Sequence, residues 1–375
     1  MPSPDAVPKC LTDAESFRDV SRGDPKPHTL KGEDLVKARL TAESWRLEIV
    51  SDGTAEIEKP RKLDDGAAID LPGLEALGKR HGVKFIKAMQ CLNIDQPLGQ
   101  GLWEGVPLRE VLRLAGRIKN CRRLFYHGFH NNDPKQLFQS SLSYTQALDT
   151  SPWDLGPFLA YRLNGKPLSL LRGGPVRMVV PWAYGFKSIK WLARITLTND
   201  YKANDTYADG NNDPDSYLKT AAYLDDGEQQ FKVGKEVVLR GTAMVGLPGL
   251  KRVEYWLRPD TGTHGNLAVD DPAWTDAKWK ECVLDVPPED WSKTLPEGVK
   301  PADVWGFDPT TGKPKDWPLR FSVATWSASL KDLKEGAYEF RVRSVDMNGF
   351  AQPEPRPYLK SGRNGISSRV IMMVA

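Results

Sequence analysis

Hydrophobic and polar residues alternate in short runs along most of this chain, separated by clusters of Pro, Gly and Asp. Period-two alternation of this kind predicts strands, whereas a spacing of three to four predicts helices. Residues 44–51 (SWRLEIVS) read as a strand, Asp52-Gly53 as a turn, and 54–58 as another extended piece. LPGLEALGKRHG (71–82) places Leu74, Leu77 and His81 near one helical face, with Gly82 as its stop. VKFIKAM (83–89) alternates as a strand and runs into Cys91. VPLREVLRLAG (106–116) reads as a helix opened by Pro107 and closed by Gly116. Strands follow at 122–129, 157–165, 175–181 and 188–198, with a short helix or turn at 141–149.

These elements fall into three regions. Residues 1–43 form an irregular arm, because Pro2, Pro4, Pro8, Pro25 and Pro27 interrupt regular structure. Residues 44–225 mix helices and strands with no Gly-x-Gly-x-x-Gly turn after the first strand, which predicts an α+β domain and leaves a dinucleotide-binding fold unsupported. Within it, 201–220 is polar and turn-rich and reads as a surface excursion. From 226 to 375 the pattern becomes strand-sized alternating pieces between turn clusters, which predicts an immunoglobulin-like β-sandwich.

Composition narrows the class. The chain has 375 residues, 40% hydrophobic and 27% charged, and that length accommodates two domains. No run approaches the ~18 apolar residues of a membrane span. The first residues, MPSPDAVPKCLTDAESF, lack the charged start and apolar core of a secretory leader. A net charge of +3 with acids and bases interspersed argues against a nucleic-acid binder. Four scattered cysteines without a Cys-x-x-Cys pair exclude a zinc ribbon, a disulfide framework and a haem attachment site.

Two features could carry chemistry. Cys91 sits where a strand spills into a loop, and Gly99 and Gly101 in that loop would allow a ligand close to the backbone. A lone cysteine in such a place is either a buried packing residue or a thiolate that binds metal or does redox chemistry. In RGGPVRMVVPWAYGFKSIKWL (172–192), Arg172, Arg177, Lys187 and Lys190 flank a hydrophobic strand bounded by Gly173, Gly174 and Pro181. That arrangement is either a strand with solvated charges at its ends or a seat for a phosphate-bearing cofactor.

Taken together, Cys91, Trp103-Glu104-Gly105-Val106-Pro107-Leu108, Leu159-Ala160-Tyr161 with Asn164-Gly165-Lys166-Pro167, Gly173 to Pro181 and Gly185 to Leu192 resemble the sulfite oxidase family of molybdopterin-dependent oxidoreductases. Order and spacing agree from about 44 to 220, and LKRVEYWL and EFRVRSVDMNGFAQP extend the resemblance to that family's sandwich. The resemblance implies a mixed α/β molybdopterin-binding domain followed by an immunoglobulin-like domain that forms a homodimer. It implies molybdenum held by molybdopterin and by Cys91, with the Tyr161 hydroxyl near the metal. Arg177, Ser188 and Lys190 match positions that hold the pterin and its phosphate. Arg172 stands where many members have histidine, and His127, with Asn131 and Asn132, falls where the family lines the pterin pocket.

The implied activity is oxygen-atom transfer, oxidising sulfite or a related sulfur compound. With no haem, iron–sulfur or flavin motif, electrons would pass to an external partner such as a cytochrome c. The same site run in reverse would reduce an S-oxide or N-oxide, and a cofactor-free binding protein on this scaffold is the alternative from another class. Exported family members imply a periplasmic location, with a cytoplasmic one as the alternative. Two departures bear on substrate: residues 91–96 read CLNIDQ where sulfite oxidases have Cys-x-Gly-Asn-Arg-Arg, and an N-terminal Arg-Asn-His element is absent. Compensating cations for an oxyanion would then come from Arg109, Arg122, Arg123 or Arg363.

Overall fold

The computed structural model describes residues 10–94, 96–131, 133–148, 154–203, 215–260, 262, 273, 276–354, 362 and 364–375. Asp95, Asn132 and Arg363 lie outside the described residues, as does most of the polar stretch 201–220.

Two sheets make the first domain. In one, the strands run in the order Ile69–Asp70, Arg46–Ser51, Leu192–Thr198, Arg123–Gly128, Gln139–Ser143. Arg46–Ser51 and Leu192–Thr198 pair in parallel, and their neighbours are antiparallel. In the other, Lys166–Pro167, Phe158–Leu163, Gly99–Pro107 and Val83–Met89 lie in that order, with Arg177–Val179 also pairing with Phe158–Leu163. Helix Leu71–His81 starts at Asp70, whose carboxylate accepts from the Gly73 amide at 2.8 Å. Lys79, Arg80 and His81 complete its last turn, where positive charge is favoured. Its buried Leu74 and Leu77 join Trp45, Leu47, Ile49 and Val106 in the first core.

The sequence reading differs from the structure between 99 and 107. Those residues are a strand, Gly99–Pro107, and the following helix begins only at Leu108 and ends at Arg113. Glycine weakens a strand signal, and here it serves close packing within the protein. A side chain at Gly99 would run 2.7 Å from the Phe17 ring, and one at Gly105 would collide with the Leu159 carbonyl. These glycines therefore admit Phe17 and a neighbouring strand, not a ligand.

The second domain is a sandwich of two sheets. One holds Ala221–Leu224, Val237–Met244, Val323–Leu330 and Val283–Leu284; the other holds Gln230–Lys232, Ser367–Val374, Gly336–Asp346, Leu250–Pro259 and Lys280–Glu281. Trp326 and Phe340 stack between them, with ring centroids 6.4 Å apart. The two domains share a core in which Phe85, Met89, Trp103 and Phe158 meet Tyr223, Met244 and Phe321. The Ala88 amide donates to the Phe321 carbonyl at 2.8 Å, so the sandwich backs directly onto the strand that leads to Cys91. No helix among the described residues is long and apolar enough to cross a membrane.

Trp103 is fully buried in this shared core, and its indole donates to the Lys87 carbonyl at 3.1 Å. Trp103→Ala is expected to destabilise the protein by about 3–5 kcal/mol in denaturant unfolding. A loss below about 1 kcal/mol would contradict this account of the joint core.

Candidate functional site

Cys91 is a half-buried free thiol just past the end of strand Val83–Met89. Its loop is closed by the Leu98 amide donating back to the Met89 carbonyl at 2.7 Å. The Gln90 side chain donates to the Cys91 carbonyl at 3.1 Å and also to that of Ile94. The Gly185 amide donates to the Gln90 carbonyl at 2.7 Å, which pins the Cys91 loop to the turn that begins the 185–191 segment.

That contact opens onto a cavity of about 230 Å³. Cys91, Arg172, Arg177, Ser188 and Lys190 all line it, so five of the seven site residues expected from sequence converge here. Gly173 makes the convergence possible. It reverses the chain at φ +97°, and a Cβ there would lie 2.6 Å from the Lys190 side chain.

Each buried cation is held by backbone oxygen. Arg172 donates to the Phe17 carbonyl at 2.9 Å. Arg177 donates to the carbonyls of Arg172 at 3.0 Å and Ser188 at 2.6 Å, with its guanidinium 5.1 Å from the Trp103 ring centre. Lys190 donates to the Leu171 carbonyl at 2.7 Å, the Asp19 carboxylate at 3.1 Å and the Ser21 hydroxyl at 2.6 Å. Ser188 accepts from the Val180 amide at 3.2 Å, which leaves its own proton to donate.

Among the described lining residues there is no carboxylate, while Arg18 and Arg22 add two exposed cations at the rim. Burial pushes Arg177 down to about 9, assisted by the Arg172 charge. Burial, followed by the Arg177 charge, pushes Lys190 down to about 7. Asp19, outside that lining, offsets the Lys190 charge at 3.1 Å. Burial would raise its pKa, but the Ser21 hydroxyl and the Lys190 charge hold it well below the usual carboxylate range.

Two of the expected site residues lie outside the cavity lining. Tyr161 does not line the cavity. Side chains alternate along its strand, so Phe158 and Ala160 face the shared core while Leu159 and Tyr161 face the first core. There its hydroxyl crowds Gly78 of helix Leu71–His81, and burial first, then the Glu104 charge, push it up to about 12. His127 is also absent from the lining; its Nδ1 lies 3.2 Å from the Gly128 carbonyl. Its neighbour His130 takes that place, 5.6 Å away between ring centres. The expected extra arginines lie elsewhere too: Arg109 pairs with Glu110 at 3.1 Å, and Arg123 bonds the Tyr201 carbonyl and the Ser141 hydroxyl. Arg122 is likewise outside the lining.

Sequence reasoning missed the arm and one lysine. Phe17, Ser21 and Gly23 from the supposedly irregular arm form a cavity wall. Lys87 is fully buried and donates to the Pro181 carbonyl at 2.6 Å and the Ala183 carbonyl at 3.3 Å, fixing the turn before Gly185. A lysine inside a strand buried on both faces was the available signal.

Residues 34–206 match the family model described as oxidoreductase molybdopterin binding domain. The chain is 36% identical over 112 residues, 28% of its length, to inducible NADH nitrate reductase 2 of Glycine max. It is 27% identical over 180 residues, 44% of its length, to the mitochondrial sulfite oxidase of Drosophila melanogaster. The matched regions span only 12% of the former and 30% of the latter. The crystal structure of the sulfane dehydrogenase SoxCD from Paracoccus pantotrophus shares the fold, with a TM-score of 0.60 over 100% of this chain and 95% of that one, at 17% identity.

The buried lysines give a testable pH dependence. Lys87 also falls to about 7, through burial and then the Arg177 charge, whereas an unfolded lysine titrates at ~10.4. Between those values the unfolded chain binds more protons than the folded one, so raising pH favours folding. The thermal midpoint of cofactor-free protein is expected to rise from pH 7 to pH 9. A flat or falling profile would show that burial does not depress these lysines.

Proposed function

This chain belongs to the sulfite oxidase family of molybdopterin oxidoreductases, and from that premise we propose that the cavity beside Cys91 takes molybdopterin, with the Cys91 thiolate on the molybdenum. The proposed reaction oxidises sulfite or a related sulfur compound and passes the electrons to an external acceptor. Bound there, molybdenum supplies two-electron oxygen-atom transfer, to which a soft thiolate ligand is suited.

The single observation that carries this reading is the set of buried donors left without partners around the cavity. The Nε atoms of Arg172 and Arg177 and Nδ1 of His130 are buried and make no hydrogen bond. Buried polar atoms are normally paired, and an anionic, many-heteroatom ligand is the group that would pair these. Arg172, Arg177 and Lys190 would hold the anionic end of the cofactor, with Ser188 donating its hydroxyl and His130 in the role first expected of His127. The aromatic walls, Phe17, Phe129, Phe186 and Trp191 among them, would exclude water. Arg18 and Arg22 at the rim would draw in an oxyanion, supplying the charge missing after Cys91.

The match to nitrate reductases favours a second reading, oxygen removal from nitrate or an S-oxide at the same site. A redox partner such as a cytochrome c, a homodimer through the sandwich and a periplasmic location accompany either direction as further parts of the proposal.

Purified protein from a molybdenum-replete host is expected to carry close to one molybdenum and one pterin per chain, measured by elemental analysis and oxidised-pterin fluorescence. With metallated protein, sulfite-dependent reduction of cytochrome c supports oxidation, whereas dye-driven reduction of nitrate or methionine sulfoxide alone supports the reverse. Metal-free protein, or turnover of none of these compounds, contradicts the proposal. Cys91→Ser is expected to lower turnover by more than about 100-fold, the scale of losing a group at the reacting centre. Tyr161→Phe is expected to stay within about threefold of wild type, because that hydroxyl faces the core. A Tyr161→Phe variant as inactive as Cys91→Ser would contradict the placement.

A further inference from the structure

Lys190 has three N–H donors and no more, and all three are engaged. One goes to the Leu171 carbonyl in the turn that carries Arg172; the other two go to Asp19 and Ser21 of the arm. Asp19 and Ser21 are also joined to each other through the Ser21 hydroxyl and amide. For Lys190 to grip an anionic cofactor group, at least one partner has to leave, and the Leu171 carbonyl is fixed by its turn.

The arm is anchored on either side of this contact. On one side the Thr12 amide donates to the Gln100 carbonyl at 2.7 Å, the Arg18 amide to the Leu98 carbonyl at 2.9 Å, and the Phe17 ring fills the space left by Gly99. On the other side Asn131 donates to the Pro25 carbonyl at 2.7 Å. Gln136 exchanges bonds with the Asp24 backbone at 2.9 and 3.0 Å. Between these anchors Asp19 and Ser21 reach the body of the domain through Lys190. Gly23, at φ +111°, turns the chain into the second anchor. The segment is a short bridge over the cavity, held at Arg22 by the Phe138 ring, 4.9 Å away, and at Asp19 and Ser21 by a charge that the cofactor's own anionic group would replace.

We propose that residues 19–23 are a strap that gates cofactor access, with Asp19 competing with the cofactor's anionic group for Lys190. This rests on the cavity being the molybdopterin site. Binding the anion transfers Lys190 from the strap to the ligand, and the freed strap lifts from its middle while its ends stay anchored. The same competition makes the closed strap a counter-charge for Lys190 before the cofactor arrives.

The test uses full-length protein produced without cofactor and incubated anaerobically with molybdopterin, its uptake followed by pterin fluorescence after removal of free ligand. Asp19→Asn is expected to take up the cofactor roughly tenfold faster than wild type, the scale of one charge-assisted hydrogen bond in a half-buried pair. Asp19→Glu, which keeps the carboxylate, is expected to restore slow uptake. In wild-type protein, loading is expected to speed tryptic cleavage after Arg22, a readout that needs no variant. Equal uptake by Asp19→Asn and wild type, or equal cleavage with and without cofactor, overturns the strap while leaving the cofactor site intact. Failure of all three folded proteins to take up molybdopterin overturns the cofactor reading and the strap with it.

Discussion

A group of buried cations held mainly by backbone carbonyls is the constraint on which the rest of this structure depends. Placing a charge inside a protein costs several kcal/mol even after relaxation, unless it is paired. Here Lys87, Arg172, Arg177, Lys187 and Lys190 are packed into adjacent segments. Backbone carbonyls take most of the burden: Pro181 and Ala183 for Lys87, Ser141 for Lys187, Leu171 for Lys190, and Arg172 and Ser188 for Arg177. Carbonyl dipoles orient these groups but carry no net negative charge. A fold that concentrates positive charge around one cavity has a standing preference for an anion there, and the thiol at its edge defines the metal chemistry that anion would bring.

The scaffold explains how so much charge is kept in place. The strand ending at Met89 is buried on both faces, with the sandwich packed behind it through Phe321 and Met244. Cys91 therefore projects from a rigid strand end, and the Gln90 bonds restrain the loop that follows. The close approach of Gly173 to Lys190, which only glycine permits, and the tight contact of Gly185 with the Gln90 carbonyl bring the cationic segment and the thiol segment to the same wall. Rigid first contacts of this kind are what a site for precise cofactor placement needs.

Much of this was legible in the residues. The alternating runs located the strands at 46–51, 83–89 and 192–198, and the RGGPVRMVVP segment marked the basic half of the cavity. What was not legible depends on tertiary contacts. Tyr161 lies in the right segment, but strand alternation turns it to the opposite face, and period-two reasoning alone does not say which face meets the cavity. His127 lies within the strand Arg123–Gly128, whereas His130 lies in the loop that follows it. Gly99, Gly101 and Gly105 hid a strand, because their glycines are needed by neighbours far away in sequence, Phe17, Leu163 and Leu159. The arm carried no periodicity, so its role as a wall, with Asp19 on Lys190, emerges only once the chain is folded.

The most direct measurement is a crystal structure of protein prepared from a molybdenum-replete host. The account predicts an anionic ligand whose charged end lies among Arg172, Arg177 and Lys190, with the Cys91 sulfur bonded to a metal at the other end of the same cavity. A metal bound elsewhere, or a cavity in which those three cations face only water while Cys91 packs as an inert thiol, would contradict it.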